Sequence, residues 1–332
     1  MEDGKLGKKK KRVVVFLASV LIIIIIVVPL IIANMAVNML VNPNREISHN
    51  PEKAYALLFE ELPPAKAWVE DLLKKGALRD TFIVAQDGRR LHAVFAAANK
   101  PTDKTAFVIH GWTDSAILMM HYGYMFQHDL GYNMFLPDLN GHGLSEGKYA
   151  QMGWFDRLDV IEWLDVANNI FAPRDSLGNK IGDTQMVIHG TSMGAATAMC
   201  VSGEPQKPYV KAYIEDCGYT SVMDEMSGDQ HNEPMMQWVL PLASWWCGVL
   251  HGWTFTEASP LEMVKKSHQP MFFIHGDNDN FVPTWMVHPL YEAKPEPKEI
   301  WLVPGARHAS SYFDYPEEYT QRVQNFIEKY IN

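Results

Sequence analysis

Gln185-Met186-Val187-Ile188-His189-Gly190-Thr191-Ser192-Met193-Gly194-Ala195-Ala196-Thr197-Ala198-Met199-Cys200-Val201 is the stretch whose reading decides the fold. It begins as a short apolar run of strand length, Gln185–Ile188, and continues as a helical candidate over Met193–Val201. Between the two stands Gly190-Thr191-Ser192-Met193-Gly194, a G-x-S-x-G sequence. A tight strand-to-helix turn of this kind lifts a serine hydroxyl off the sheet, and it needs small residues on both sides because it leaves no room for side chains. A bare match arises by chance in about one chain in ten of this length, and would then mean no more than a glycine-rich turn. Its position after a buried strand predicts Ser192 as a nucleophile.

Reading outward, the runs Thr81–Gln86 and Arg89–Ala97 flank Asp87-Gly88, a hairpin turn signal. Ala106–Ile109, Asn133–Leu136, Gln185–Ile188, Val210–Ile214, Met271–Ile274 and Ile300–Val303 read as buried strands. Helical stretches near Tyr122–Leu130, Phe155–Phe171 and Met193–Val201 lie between them. Strands alternating with helices predict an α/β fold, a mostly parallel twisted sheet with helices on both faces, whose sites form at the carboxyl ends of the strands. From Tyr219 to Gln269 no strand is evident, and the segment carries Met223, Met226, Met235, Met236, Trp238, Trp245, Trp246, Trp253 and Met263. It predicts a helical cap at about 219–269 that roofs an apolar pocket.

Val13 to Ala33 is one apolar run broken only by Ser19 and Pro29. It matches the ~20 residues that a helix needs to cross a bilayer, and exceeds the apolar core of a cleaved signal peptide, with no A-x-A site after it. An uncleaved anchor over 13–33 is expected. Lys5, Lys8, Lys9, Lys10, Lys11 and Arg12 would keep a basic tail, 1–12, in the cytoplasm and leave the body of the chain outside, at the cell membrane. Residues 34–78 read as a juxtamembrane linker with Pro43 and Pro51, followed by an amphipathic helix over Pro51–Lys75 interrupted at Pro63-Pro64. The catalytic domain is expected over 79–332.

The formal net charge is −10 although the amino terminus is basic, so the body is acidic. That argues against nucleic-acid binding, which needs a basic face. Three cysteines, Cys200, Cys217 and Cys247, make neither a disulfide framework nor a zinc pattern. His110, His121 and His128 lack metal-pair spacing, and the phosphate-binding glycine motifs are absent, so no metal or nucleotide cofactor is expected.

A serine hydroxyl needs a base. His308, in Gly305-Ala306-Arg307-His308-Ala309, follows the last predicted strand and fits that role better than His49, His268 or His288. The carboxylate that orients it is Asp279 or Asp277, after the strand Met271–Ile274, or Asp216, at the end of Val210–Ile214. An oxyanion needs preorganised donors. The backbone N–H of Met193 is one, and that of Trp112, beside Gly111 in the loop after Ala106–Ile109, is the other.

The pieces "HGW" (110–112), "DLNGHGLSEG" (138–147), "GTSMG" (190–194), "EDCGYTS" (215–221), "HGDNDNFVP" (275–283) and "GARHAS" (305–310) together resemble the α/β-hydrolase superfamily. They are similar above all to its bacterial membrane-anchored branch, grouped with serine aminopeptidase-like and prolyl-oligopeptidase-like hydrolases. The resemblance covers about Thr81 to the carboxyl terminus, and the order Ser, Asp, His is the one that superfamily uses. "HGDNDNFVP" is similar to its H-G-x-x-D-x-x-V-P, which implies Asp279 as the acid. "GARHAS" is similar to its histidine loop, which implies His308. "DLNGHGLSEG" departs from D-x-R-G-H-G-x-S in having Asn140 for arginine, in a loop expected to be structural.

The activity expected is hydrolysis of a carboxylic ester through an acyl-enzyme, since an apolar cap favours an acyl or aryl group. A short peptide or amide substrate comes second and a thioester third. A non-catalytic binding protein on the same fold is the reading from a different class, and the presence of Ser192, Asp279 and His308 together speaks against it.

Overall fold

Asp87-Gly88 turns the chain between β1 (Arg79–Val84) and β2 (Arg90–Ala96), which pair antiparallel with Val84 opposite Arg90. The sheet continues through β3 (Lys104–Ile109), β4 (Asn133–Pro137), β5 (Gln185–Thr191), β6 (Val210–Asp216), β7 (Met271–Gly276) and β8 (Lys298–Val303). Its order is β1-β2-β4-β3-β5-β6-β7-β8, antiparallel at β1/β2 and β2/β4 and parallel at every other pairing. This is the mostly parallel α/β sheet that the sequence predicts. The computed structural model describes residues 2–42, 46–228 and 234–331. Pro43 and the side chains of Lys5, Lys8, Lys9, Met235 and Met236 lie outside the described residues.

The helices run α1 (Glu2–Ile22), α2 (Val28–Val41), α3 (Pro51–Glu61), α4 (Pro63–Lys74), α5 (Met120–Gly123), α6 (Asp156–Phe171), α7 (Met193–Ser202), α8 (Val222–Ser227), α9 (Pro234–His251), α10 (Pro260–Val264), α11 (Val287–Ala293), α12 (Ser311–Asp314) and α13 (Pro316–Ile327). Alternation along the strands decides which helices meet which face. Ala106 and Val108 of β3 join Val187 and Ile214 under α4, α5 and α13, whereas Phe107 and Ile109 join Ile188 and Phe273 under α6, α7 and α11. Both faces are therefore covered, which a parallel sheet requires. Between β6 and β7 the described residues form no strand but the helices α8, α9 and α10.

The amino-terminal helix goes further than the linker expected at residue 34. α1 and α2 join through one π-helical turn, Ile23–Val27, and the helix runs on to Val41. It has two environments. From Val13 to Val28 its large apolar side chains other than Val20 stand exposed. From Ala33 to Val41 one face packs on the domain, with Ala33, Val37, Leu40 and Val41 buried. The Trp246 indole donates to Asn34 Oδ1 (3.2 Å), the Trp112 indole to the Leu40 carbonyl (2.9 Å) and the Ala150 N–H to the Val41 carbonyl (2.7 Å). Burial of Val37, Leu40 and Val41 contributes on the order of 1.5–3 kcal/mol each. A free linker would forgo that gain, so this segment docks instead.

Asn140, where the resembled pattern has arginine, accepts from the Arg89 guanidinium (2.8 Å) and donates to the Tyr149 carbonyl (2.6 Å). Arg89 also holds Asp159 with two bonds, at 2.8 and 3.0 Å. A guanidinium thus reaches this loop, supplied by the hairpin turn just before β2. The expected structural character of the loop follows from Asp138, which accepts from the Ala116 and Leu144 N–H groups.

Candidate active site

Ser192 stands between β5 and α7 with φ +57° and ψ −119°, a conformation that L-residues rarely adopt. The glycines around it are demanded by space. A Cβ on Gly190 would lie 2.1 Å from the Gly194 carbonyl oxygen, and one on Gly194 would lie 2.1 Å from the Ile109 carbonyl oxygen. The other positive-φ residues that are not glycine include Thr113, Cys217 and Ala309. Thr113 and Ala309 line the same cavity as Ser192, so backbone strain collects here.

His308 reaches Ser192 from the loop after β8, with Nε2 at 2.9 Å from Oγ. Its other nitrogen, Nδ1, lies 2.7 Å from Asp279 Oδ2. With the proton on Nδ1 donated to the carboxylate, Nε2 is left to accept the serine proton. Gly276, at the end of β7, admits this arrangement, since a Cβ there would meet the Ala306 carbonyl oxygen at 2.2 Å. The histidine loop is thereby pressed onto the strand end that leads to Asp279.

Asp279 Oδ1 accepts from the Phe281 and Val282 N–H groups at 2.9 and 3.0 Å. Burial by itself would raise its pKa, but the imidazoles of His275 and His308 hold it down to about 2. It is therefore a carboxylate at any working pH. His275 donates Nε2–H to the Val282 carbonyl (3.0 Å) and lies 3.5 Å from Asp279 Oδ2. The competing acids stand apart. Asp277 accepts from the Gly305 N–H (2.6 Å). Asp216 accepts from the Tyr122 and Tyr319 hydroxyls at 3.1 and 2.9 Å, and burial pushes its pKa up to about 6. His268 and His288 are exposed, and His49 is bonded to the Gly141 carbonyl at 3.0 Å.

The loop after β3 approaches the same point: a Cβ on Gly111 would lie 3.5 Å from the Ser192 Cβ. Trp112 follows it, and Met193 is the first residue of α7, where a backbone N–H has no intrahelical partner. Cys200, Cys217 and Cys247 are free and buried. Among the described residues one cluster has metal-ligand spacing, Cys217 with Asp279 and His308, and it consists largely of the two groups already paired with each other.

Two cavities meet at Ser192. One, of about 330 Å³, is lined by Met39, Leu40, Met152, Tyr219, Met226 and Phe281, with Glu225 as its acid. The other, of about 360 Å³, runs past Thr113, Asp114, His308 and Ala309. Sequence reasoning missed both acids because neither falls in a motif. Burial pushes Glu225 up to about 8, and burial together with Glu61 raises Asp114 to about 7. Glu225 is thus largely an uncharged carboxylic acid at neutral pH, and its Oε2 finds no hydrogen-bond partner among the described residues.

Comparison with known proteins follows the same lines. The prolyl oligopeptidase family matches over residues 124–332. The Bacillus subtilis protein YqkD is 29 % identical over 236 residues, covering 70 % of this chain and 74 % of its own. The α/β-hydrolase domain-containing protein WAV2 of Arabidopsis thaliana is 26 % identical over 274 residues, covering 76 % of this chain and 79 % of its own. Among solved structures, the Pyrococcus furiosus esterase Pf2001 superposes with a TM-score of 0.58 at 22 % identity, covering 77 % of this chain and 92 % of that one.

Proposed function

This chain belongs to the prolyl oligopeptidase family of α/β-hydrolases, and from that premise we propose that it is a serine hydrolase cleaving carboxylic esters. The observation that carries the reading is the run of contacts from Ser192 Oγ through His308 to Asp279, at 2.9 and 2.7 Å. His308 Nε2 takes the serine proton as Oγ attacks the acyl carbon. The backbone N–H groups of Trp112 and Met193 receive the oxyanion. The imidazolium, steadied by Asp279, returns its proton to the leaving alkoxide, and water then releases the acyl group by the same steps in reverse. The apolar cavity suits an acyl chain, and the cavity past Asp114 suits the leaving group. No nucleic-acid partner and no cofactor enter this reading.

The exposed apolar helix supports membrane attachment. Lys10–Val41 holds a stretch long and apolar enough to span a bilayer. Its bare stretch from Val13 to Val28 is a surface that water does not tolerate. With the basic residues before it in the cytoplasm, the domain of residues 79–332 with its cap lies on the other side.

Glu225 favours a second reading, an aminopeptidase in which a bound substrate ammonium draws Glu225 into its carboxylate form and pairs with it. The two separate on a panel of nitrophenyl esters and aminoacyl nitroanilides. Ester hydrolysis should exceed anilide hydrolysis by at least about a hundredfold in kcat/KM (~2.7 kcal/mol). Faster cleavage of the anilides, with a rise in their KM in Glu225→Gln, assigns the site to peptides.

The state of Glu225 also predicts a pH profile. Its raised pKa keeps it neutral below about 8, and deprotonation above that places a charge in the acyl cavity. Hydrolysis of medium-chain esters should therefore decline by about tenfold, ~1.4 kcal/mol, as pH rises through 8. In Glu225→Gln the decline should vanish; an unchanged alkaline limb in that variant removes Glu225 as its origin.

A further inference from the structure

Three observations outside the reaction itself bear on where the substrate comes from. The first is the absence of a spacer. The exposed part of the amino-terminal helix gives way to the docked part at Pro29–Ala33 without a break, so the domain starts where the bare helix ends. The second is that the same helix builds the cavity. Met39 and Leu40 line it together with Ser192. Met39 follows Ile32 by about two turns, a rise of ~10 Å, against a headgroup layer of about 5–8 Å on each side of the hydrocarbon. The cavity wall therefore begins just outside the headgroups, within a few ångströms (~2–5 Å) of them.

The third is the outer face of α9. Its sequence, PMMQWVLPLASWWCGVLH, holds no Asp, Glu, Lys or Arg. One face, with Leu240, Ala243 and Cys247, is buried, and the elements packed on α9 are chiefly α2 and then α8. The opposite face presents Trp238, Pro241, Trp245 and Val249 at helical spacing, and Trp238 is 81 % and Trp245 54 % exposed. A helix that is apolar all round has two apolar neighbours. Here α2 together with α8 is one, and the Trp246–Asn34 bond joins α9 to α2. Tryptophan is also the side chain that concentrates at the membrane–water interface.

We infer that α9 rests in the interface of the bilayer that the anchor crosses, and that the acyl chain enters the Ser192 cavity from that bilayer along α2. The substrate class is then a membrane-resident amphiphile with an acyl ester, and this rests on the ester-hydrolase and anchor readings above. Met39 and Phe281, 68 % and 56 % exposed, form the rim over which the chain passes. Glu225, uncharged at neutral pH, lets the interior accept it.

The test uses the full chain reconstituted in vesicles of non-hydrolysable dialkyl-ether phospholipid, with methylumbelliferyl oleate dissolved in the bilayer and methylumbelliferyl acetate in the buffer. Trp238→Ser/Trp245→Ser should lose at least tenfold of its oleate rate and keep its acetate rate within twofold. Equal oleate rates in the two proteins overturn the inference, as does a wild-type protein that cleaves acetate but not oleate. If the variant halves the particle mass in detergent while oleate cleavage is unchanged, the face belongs to a second copy of the chain. Wild-type protein that cleaves neither ester takes down the hydrolase reading itself. Protein that fails to float with the vesicles takes down the anchor.

Discussion

Ser192→Ala should hydrolyse nitrophenyl esters with kcat lowered by about 10⁴–10⁶, leaving KM within a few fold. In the proposed mechanism the hydroxyl forms the bond to the acyl carbon, so its loss should remove the covalent route altogether. What remains should come from binding and from the proposed oxyanion donors, the Trp112 and Met193 N–H groups. Alanine differs from serine here by one oxygen and meets the same φ of +57°, so the turn should keep its shape. The matching measurement is labelling by an activated phosphonate, which should bond to the wild-type serine and not to the variant. Persistent labelling of Ser192→Ala would move the nucleophile elsewhere. A wild-type protein that neither labels nor hydrolyses any nitrophenyl ester would return the fold to a binding role.

Asp279→Asn should lower kcat by about 10⁴ while leaving the fold in place. The carboxylate accepts from His308 Nδ1 at 2.7 Å, and that bond selects the tautomer whose Nε2, 2.9 Å from Ser192 Oγ, carries no proton. An amide nitrogen at that position would donate toward Nδ1, turn the tautomer over and leave Nε2 carrying the proton. Asp277→Asn is the control: its carboxylate serves the Gly305 N–H and never meets His308, so activity should stay within about threefold. Comparable losses in the two variants would remove Asp279 from its role. The lowered pKa of Asp279 has a stability consequence with a definite sign. A carboxyl whose folded pKa, about 2, lies below its unfolded value stabilises the fold at neutral pH. That contribution fades as pH drops from about 4 to 2, and denaturant titrations in Asp279→Asn should lack this part of the acid dependence.

Much of the architecture was legible because it is local. The apolar run before Gly190 and the small residues after Gly194 make a strand and a helix by their own preferences. Two glycines four apart then leave only one compact turn, as the 2.1 Å approaches at Gly190 and Gly194 demonstrate. The hairpin at Asp87-Gly88 and the strands leading to Gly111, Asp279 and His308 were readable in the same way. The acid was less so. Asp216, Asp277 and Asp279 all follow strands that end near one another, and no property of one carboxylate in sequence tells which will face a histidine 29 residues away. The resemblance to a family supplied that choice, and the structure brings Asp279 alone of the three to His308.

What the sequence by itself determined, then, is the strand-turn-helix at Ser192, the parallel sheet around it and an apolar helix of membrane-spanning length. Each follows from residues that act on their near neighbours. What only the tertiary structure decided depends on elements meeting across long stretches of chain. Residues 34–41 look like a linker alone, but with α2 packed on α9, Met39 and Leu40 become a cavity wall. Arg89 donates to Asn140 because a hairpin lies over that loop. Glu225 is an ordinary acid in sequence and an uncharged one in place, because burial withholds the water that would stabilise its charge.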